Sequence, residues 1–162
     1  MHSCLAIANE FIRRARGENR HLTHMQLQKL AYLAHGWNLA VTGEPLIEDE
    51  FEAWEFGPVV RKLYSALRKC GADPVTSPIK WGDDTPFPYD DLEEEATEPL
   101  TDQERQVIDR VWQFYGRFPA YKLSALTHER GTPWTMTYEH GRNRPVSNNA
   151  IQEYFVRLAD PA

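Results

Sequence analysis

The chain has 162 residues, a formal net charge of −6, and a 41% hydrophobic, 12% aromatic composition that is typical of a folded chain rather than a disordered one. Its apolar runs fall far short of the roughly 20 residues of a membrane span, and the N-terminus lacks the pattern of a signal peptide. The acidic balance argues against a general nucleic-acid coat.

Apolar spacing predicts two helices in the first quarter of the chain. Apolar residues recur at three- and four-residue spacing over 3–16, and Gly17 follows as a helix end. Thr23 with Gln26 forms a capping box, so we expect the second helix to begin directly after Thr23 and to end at Gly43. Its predicted apolar stripe comprises Leu27, Leu30, Ala31, Ala34, Trp37 and Val41.

A change of pattern after the second helix predicts a small β-hairpin. Residues 46–56 hold two short apolar pieces on either side of the acidic residues 48–50, which we assign to the turn. Gly57 and Pro58 are predicted to open a third helix, because proline is favoured in the first helical turn. Gly71 is expected to close that helix.

The second half of the chain has further helical signals and no alternation of strands with helices. Thr101 with Glu104 forms a second capping box, at the start of a helix to about residue 116. Shorter helical segments are predicted at 120–128, from Pro133 and Trp134, and after Ser147. Together the patterns predict a mainly α, compact single-domain fold over residues 1–162, with six or seven helices and one small β-hairpin.

The negative charge is concentrated in one proline-rich segment. Residues 72–99 hold nine acids, one lysine and five of the eleven prolines, for a net charge of −8, whereas the rest of the chain has a net charge of +2. A run of like charges is typical of a solvated loop. We therefore expect an acidic, proline-rich insertion or loop at 72–99, with binding of a basic partner as the alternative interpretation.

The motifs of cofactor-dependent chemistry are absent from the sequence. Neither a phosphate-binding GxxxxGK[ST] loop nor a GxGxxG motif occurs, and the histidines are not grouped with cysteines as in a zinc site. Cys4 and Cys70 lack CxxC spacing and predict reduced thiols in a cytoplasmic protein. No catalytic residue, metal or cofactor is predicted.

Two other functions stay open on the residues alone. Cys70 with His128 is a conceivable nucleophile pair of a small hydrolase, although no motif surrounds either residue. A DNA-binding regulator of its own operon is the second alternative. It depends on the local basic cluster of Arg13, Arg14, Arg16 and Arg20.

Two blocks of the sequence resemble the Panacea domain family, which includes SocA-like antitoxins and phage-associated GepA-like proteins. The first lies within residues 22–71 and contains LQKLAYLAHGW and EAWEFGPVV, and the second is LSALTHERGTPW at 123–134. The resemblance implies an antitoxin-like module that neutralises a cognate toxin by direct binding. It also implies, for SocA-like members, delivery of the toxin to a ClpXP-type protease.

The same resemblance selects positions whose role is structural or partner-binding. We expect Thr127 and His128 to bond free backbone carbonyls or to clasp a neighbouring loop, with a catalytic acid or base at His128 as the alternative. The family-motif positions are Leu27, Gln28, Lys29, Leu30, Trp37, Trp54, Gly57, Pro58, Thr127, His128, Pro133 and Trp134.

Overall fold

A computed structural model describes residues 1–86 and 93–160 of the chain. This part contains seven α-helices and one three-stranded antiparallel sheet, which confirms the predicted mainly α fold. The helices are α1 Cys4–Gly17, α2 His24–Thr42, α3 Arg61–Leu67, α4 Asp102–Tyr115, α5 Ala120–Thr127, α6 Pro133–Thr137 and α7 Asn148–Ala159. The strands are β1 Phe51–Trp54, β2 Gly57–Val60 and β3 Arg144–Pro145, in the order β2-β1-β3.

Helix α2 is the central element, and it packs against α1, α3, α4, α5, α7 and β2. Its buried residues lie around most of its circumference, as is typical of a central helix, and they include the polar side chains of Gln28, Lys29, His35 and Asn38. At Gly36 the packing is so close that a Cβ atom would overlap the ring of Phe155 in α7. Trp37 contacts the same ring edge-to-face, with centroids 5.3 Å apart.

Both predicted capping boxes are present. The Thr23 side chain accepts a hydrogen bond from the Gln26 amide, and Gln26 accepts one from the Thr23 amide at 2.9 Å. Thr101 and Glu104 make the same reciprocal pair. The predicted apolar stripe of α2 is wrong at one residue. Val41 does not join the core, because it is 57% exposed and lines an open groove between α2 and α4.

The hairpin lies later in the chain than the sequence predicted. β1 and β2 pair around a turn at Glu55 and Phe56, so Gly57 and Pro58 belong to β2 and the third helix begins only at Arg61. The acidic residues assigned to the turn instead precede β1, and one of them bonds the start of α1. Asp49 accepts a hydrogen bond from the Cys4 amide at 2.8 Å.

The described part of the acidic segment is a loop whose described acids are exposed or half-buried, and a few buried contacts attach it to the helical body. The Asn9 side chain, fully buried in α1, donates to the carbonyls of Ile79 and Ala96 and accepts from the Ile79 amide, at 2.8 to 2.9 Å. Val75, Ile79 and Ala96 are core residues. Residues 87–92, which include the acidic residues Asp90 and Asp91, lie outside the described residues.

Several acids of this segment are neutralised within the chain. Their ion pairs are Arg13–Glu95, Lys80–Glu93 and Lys69–Asp83, and His2 Nδ1 lies 3.0 Å from Glu98 Oε2. Bases of the helical body and of the segment itself therefore compensate part of the negative charge of this segment. None of the helices in the described part has the length and apolarity of a bilayer-spanning segment.

Candidate functional site

Five side chains from three helices converge on the backbone of the β1–β2 hairpin, residues 54–60. They come from α2, α5 and α6, and each of them bonds a main-chain group of the hairpin. We call this set the hairpin clasp, and it consists of Gln28, Lys29, Ser124, His128 and Trp134. It joins the two sequence blocks that carry the family resemblance.

Helix α2 binds the β2 side of the hairpin. Gln28 substitutes for a neighbouring strand, because its Oε1 accepts from the Val60 amide at 3.0 Å and its Nε2 donates to the Val60 carbonyl at 3.3 Å. Lys29 is fully buried and its Nζ donates to the Pro58 carbonyl at 3.0 Å. Burial disfavours the ammonium form and lowers the pKa of Lys29 to about 7.

Helices α5 and α6 bind the turn. Ser124 Oγ donates to the Phe56 carbonyl at 2.8 Å, and the Trp134 indole donates to the Trp54 carbonyl at 2.6 Å. The His128 ring packs against Trp134 at an interplanar angle of 45°, with centroids 3.8 Å apart. Its Nε2 lies 3.1 Å from the Glu55 carbonyl and its Nδ1 lies 2.6 Å from the Ser124 carbonyl, so each ring nitrogen is placed to donate to a backbone oxygen when it carries a proton.

Gly57 makes this convergence possible. Its φ is +113°, a conformation that residues with a Cβ rarely adopt. A Cβ there would lie 2.6 Å from Lys29 Cε and 2.7 Å from Thr127 Oγ1. The Thr127 hydroxyl is itself held in place, since it donates to the Ser124 carbonyl at 2.7 Å. α2 and α5 therefore approach the hairpin backbone through the space that glycine leaves.

The structure brings most of the family-motif positions together and leaves a few apart. Gathered at the hairpin are Gln28, Lys29, Trp54, Gly57, Pro58, Thr127, His128 and Trp134. Leu27 and Leu30 lie in the core, Pro133 is buried in the first turn of α6, and Trp37 packs against α7. Ser124 was missed, although it precedes His128 by one helical turn and so shares its face of α5.

An apolar groove of about 760 Å³ runs beside the clasp. Its walls include Met25, Trp54, Phe56, Tyr64 and Tyr138. The Trp54 Nε1–H is buried and has no acceptor among the described residues. His24 also lines the groove. Burial in the first place, and the charge of Lys29 in the second, lower the pKa of His24 to about 4, so this ring is neutral at pH 7.

The chemistry of the alternative functions has no assembled site in the described residues. Both ring nitrogens of His128 face backbone carbonyls, which leaves neither directed at a cysteine. Burial raises the pKa of the Cys4 thiol and disfavours its thiolate. Across residues 1–86 and 93–160, no group of three or more His, Cys, Asp or Glu side chains is placed to hold a metal ion.

The basic cluster at 13–20 is largely engaged within the chain. Arg13 pairs with Glu10 and Glu95, and Arg14 pairs with Glu10 and Asp109. Arg20 donates to the Gly116 carbonyl and lies over the ring of Trp112. Of the four arginines, Arg16 is exposed and the other three are half-buried. This arrangement gives DNA binding no additional support.

The part of the chain that contains the clasp matches a known protein family. The family model "Antitoxin SocA-like, Panacea domain" matches residues 27–135, a range that contains all five clasp residues and the hairpin. The chain belongs to the SocA-like Panacea domain family. This agrees with the resemblance of the two sequence blocks.

A curated relative, Antitoxin SocA from Caulobacter vibrioides (strain NA1000 / CB15N), is 32% identical to this Panacea-domain chain over 129 residues. The alignment covers 80% of the chain and 66% of SocA, so the chain spans just under two thirds of that relative. No solved structure matches the chain.

Proposed function

We propose that this Panacea-domain chain is an antitoxin that neutralises a cognate toxin by direct binding. The observation that carries the proposal is its membership of the SocA-like family, together with the 32% identity to Antitoxin SocA. Direct binding requires a complementary surface and no catalytic residue. The hydrogen bonds of the clasp agree with such a role, because they fix the shape of a surface turn.

Co-expression with the protein encoded beside its gene tests this proposal. We expect the neighbouring protein to arrest growth when it is produced alone, and the chain to restore growth and to co-purify with it. A matched control expresses the same messenger with an early stop codon. The proposal fails if a neighbouring protein that arrests growth neither binds the purified chain nor is relieved by it.

We further propose that the bound toxin is delivered to a ClpXP-type protease. Adaptor action and simple blocking differ in one measurable quantity, the rate at which purified protease degrades the toxin. We expect the chain to accelerate that degradation in an ATP-dependent manner. An unchanged or slower degradation in the presence of saturating chain contradicts the adaptor step and leaves neutralisation by binding as the mechanism.

A further inference from the structure

We infer that the groove beside the hairpin clasp is the surface that receives the partner. Its occupant is an extended segment of the neutralised protein that carries an apolar side chain followed closely by lysine or arginine. The inference rests on the proposed function, because it names where the toxin would bind. Three independent features of the groove support it.

The first feature is a rigid, exposed turn at the rim. The clasp fixes the carbonyls of Trp54, Glu55 and Phe56 by hydrogen bonds from Trp134, His128 and Ser124. The side chains of Glu55 and Phe56 project from this turn, and Phe56 is 61% exposed. An aromatic side chain on a backbone that is already ordered loses little entropy on binding, as in a typical binding hot spot.

The second feature is a hydrogen-bond donor in the groove wall that lacks an acceptor. The half-buried Trp54 indole packs against Tyr64, with ring centroids 4.9 Å apart, and Arg61 lies over its ring. Its Nε1 atom is buried and has no partner in the described part of the chain. Buried donors are normally satisfied. Because this N–H is closed to solvent in the free chain, a backbone carbonyl of an extended segment would reach it only as the Trp54 side chain shifts on binding, while the apolar side chain of the segment would contact the surrounding aromatic wall.

The third feature is the sign of the charge at the groove. Glu55 is the one acidic residue among the described residues that line the groove, and these include neither lysine nor arginine. Glu55 has no ion-pair partner in the described part of the molecule, whereas the nearby Arg61 is bound by Glu52 at 2.8 Å. An uncompensated carboxylate beside an apolar groove favours a partner that places a cation next to its apolar anchor.

Binding of the purified neighbouring protein to variants of the full chain tests the inference. The groove variants are Phe56→Ala, Trp54→Phe and Glu55→Lys. Phe114→Ala is a matched control, because Phe114 is 71% exposed on α4 in the separate α2–α4 groove. Glu153→Lys, on the exposed face of α7, is the control for charge reversal. Circular dichroism and melting temperature verify that each variant is folded.

We expect Phe56→Ala and Trp54→Phe to weaken binding by about tenfold or more, whereas the controls change it less than about twofold. Glu55→Lys should slow association most strongly at low salt. In an array of overlapping 12-residue peptides of the neighbouring protein, the peptides that bind should contain an apolar residue followed within two positions by lysine or arginine.

The other outcomes separate the two proposals. If the wild-type chain does not bind a growth-arresting neighbour, the proposed function fails and the inference fails with it. If wild-type binding is strong and folded groove variants bind equally well, the inference alone is overturned. Loss of binding in Phe114→Ala alone would instead place the partner between α2 and α4. A dimer of the free chain that Phe56→Ala dissociates would show that the groove binds a second copy.

Discussion

At the scale of single residues, Lys29 is the most unusual feature of the structure. It is completely buried, and no carboxylate pairs with it in the described part of the chain. Its hydrogen bond goes to the Pro58 carbonyl, which satisfies a neutral amine as well as an ammonium. Because burial lowers its pKa from 10.5 to about 7, the folded state binds fewer protons than the unfolded state above pH 7.

The difference in bound protons between the folded and unfolded states predicts that the free energy of unfolding increases as the pH rises from 7 to 9. For one proton the slope approaches about 1.4 kcal/mol per pH unit, since the unfolded chain keeps lysine protonated over this range. Urea unfolding at pH 7, 8 and 9 measures the slope, and Lys29→Met should lack it. The buried Cys4 thiol acts in the opposite direction near pH 9 but is common to both proteins. Equal slopes in both would contradict the assignment.

Gly57 supports a second prediction at this scale. Gly57→Ala should lower the free energy of unfolding by about 3 kcal/mol, because the new Cβ meets Lys29 and Thr127 in addition to the unfavourable positive φ. Gly131→Ala is the matched control, since its φ is +82° but nothing lies within 4 Å of the added atom. It should lose only about 1 kcal/mol. Equal losses in the two variants would show that the convergence on Gly57 is unimportant.

At the scale of elements, the closest packing is between α2 and α7. The two helices meet at Gly36, where the ring of Phe155 occupies the space of a missing side chain. The same ring contacts Tyr32 and Trp37 edge-to-face. The last helix of the chain is therefore positioned by a glycine in the middle of α2, where glycine would otherwise be unfavourable.

Gly36→Ala should consequently destabilise the protein although alanine favours helices. We expect a loss of about 2 kcal/mol, because Phe155 must move from a filled core. Gly17→Ala, at the end of α1 with nothing within 4 Å, should be neutral or stabilising by up to about 1 kcal/mol. Thermal unfolding of both variants measures the contrast. A stable Gly36→Ala would mean that α7 is not held at this contact.

The elements that the sequence predicts correctly depend on local signals. Thr23 and Gln26 are three residues apart, so their capping box is visible in the sequence. The hairpin was misplaced because Asp49 binds the distant N-terminus, a contact that spacing does not reveal. Of the clasp, the sequence predicted only that Thr127 and His128 bond free backbone carbonyls or clasp a neighbouring loop, without naming the hairpin. The hydrogen bonds of the clasp join residues as far as 80 positions apart.

At the scale of the whole molecule, the uneven charge has a structural counterpart. The acidic segment faces bases elsewhere in the chain, and His2 lies between two carboxylates, with Glu98 at 3.0 Å and Glu104 at 2.9 Å. Apolar residues at 75, 79 and 96 join the core from the same segment. The segment is therefore a loop whose described acids stay at or near the surface while three apolar residues anchor it to the core.

Substitution of Asn9 tests which contacts attach the acidic segment to the helical body. Asn9→Ala should cost about 3 kcal/mol, because it removes three hydrogen bonds and leaves buried backbone groups of Ile79 and Ala96 without partners. We expect amide hydrogen exchange to accelerate at both residues more than in the rest of the core. The control Arg13→Ala removes exposed ion pairs to Glu10 and Glu95, each worth at most about 1 kcal/mol. If Arg13→Ala exposes the segment and Asn9→Ala does not, its attachment is electrostatic rather than a consequence of buried hydrogen bonds.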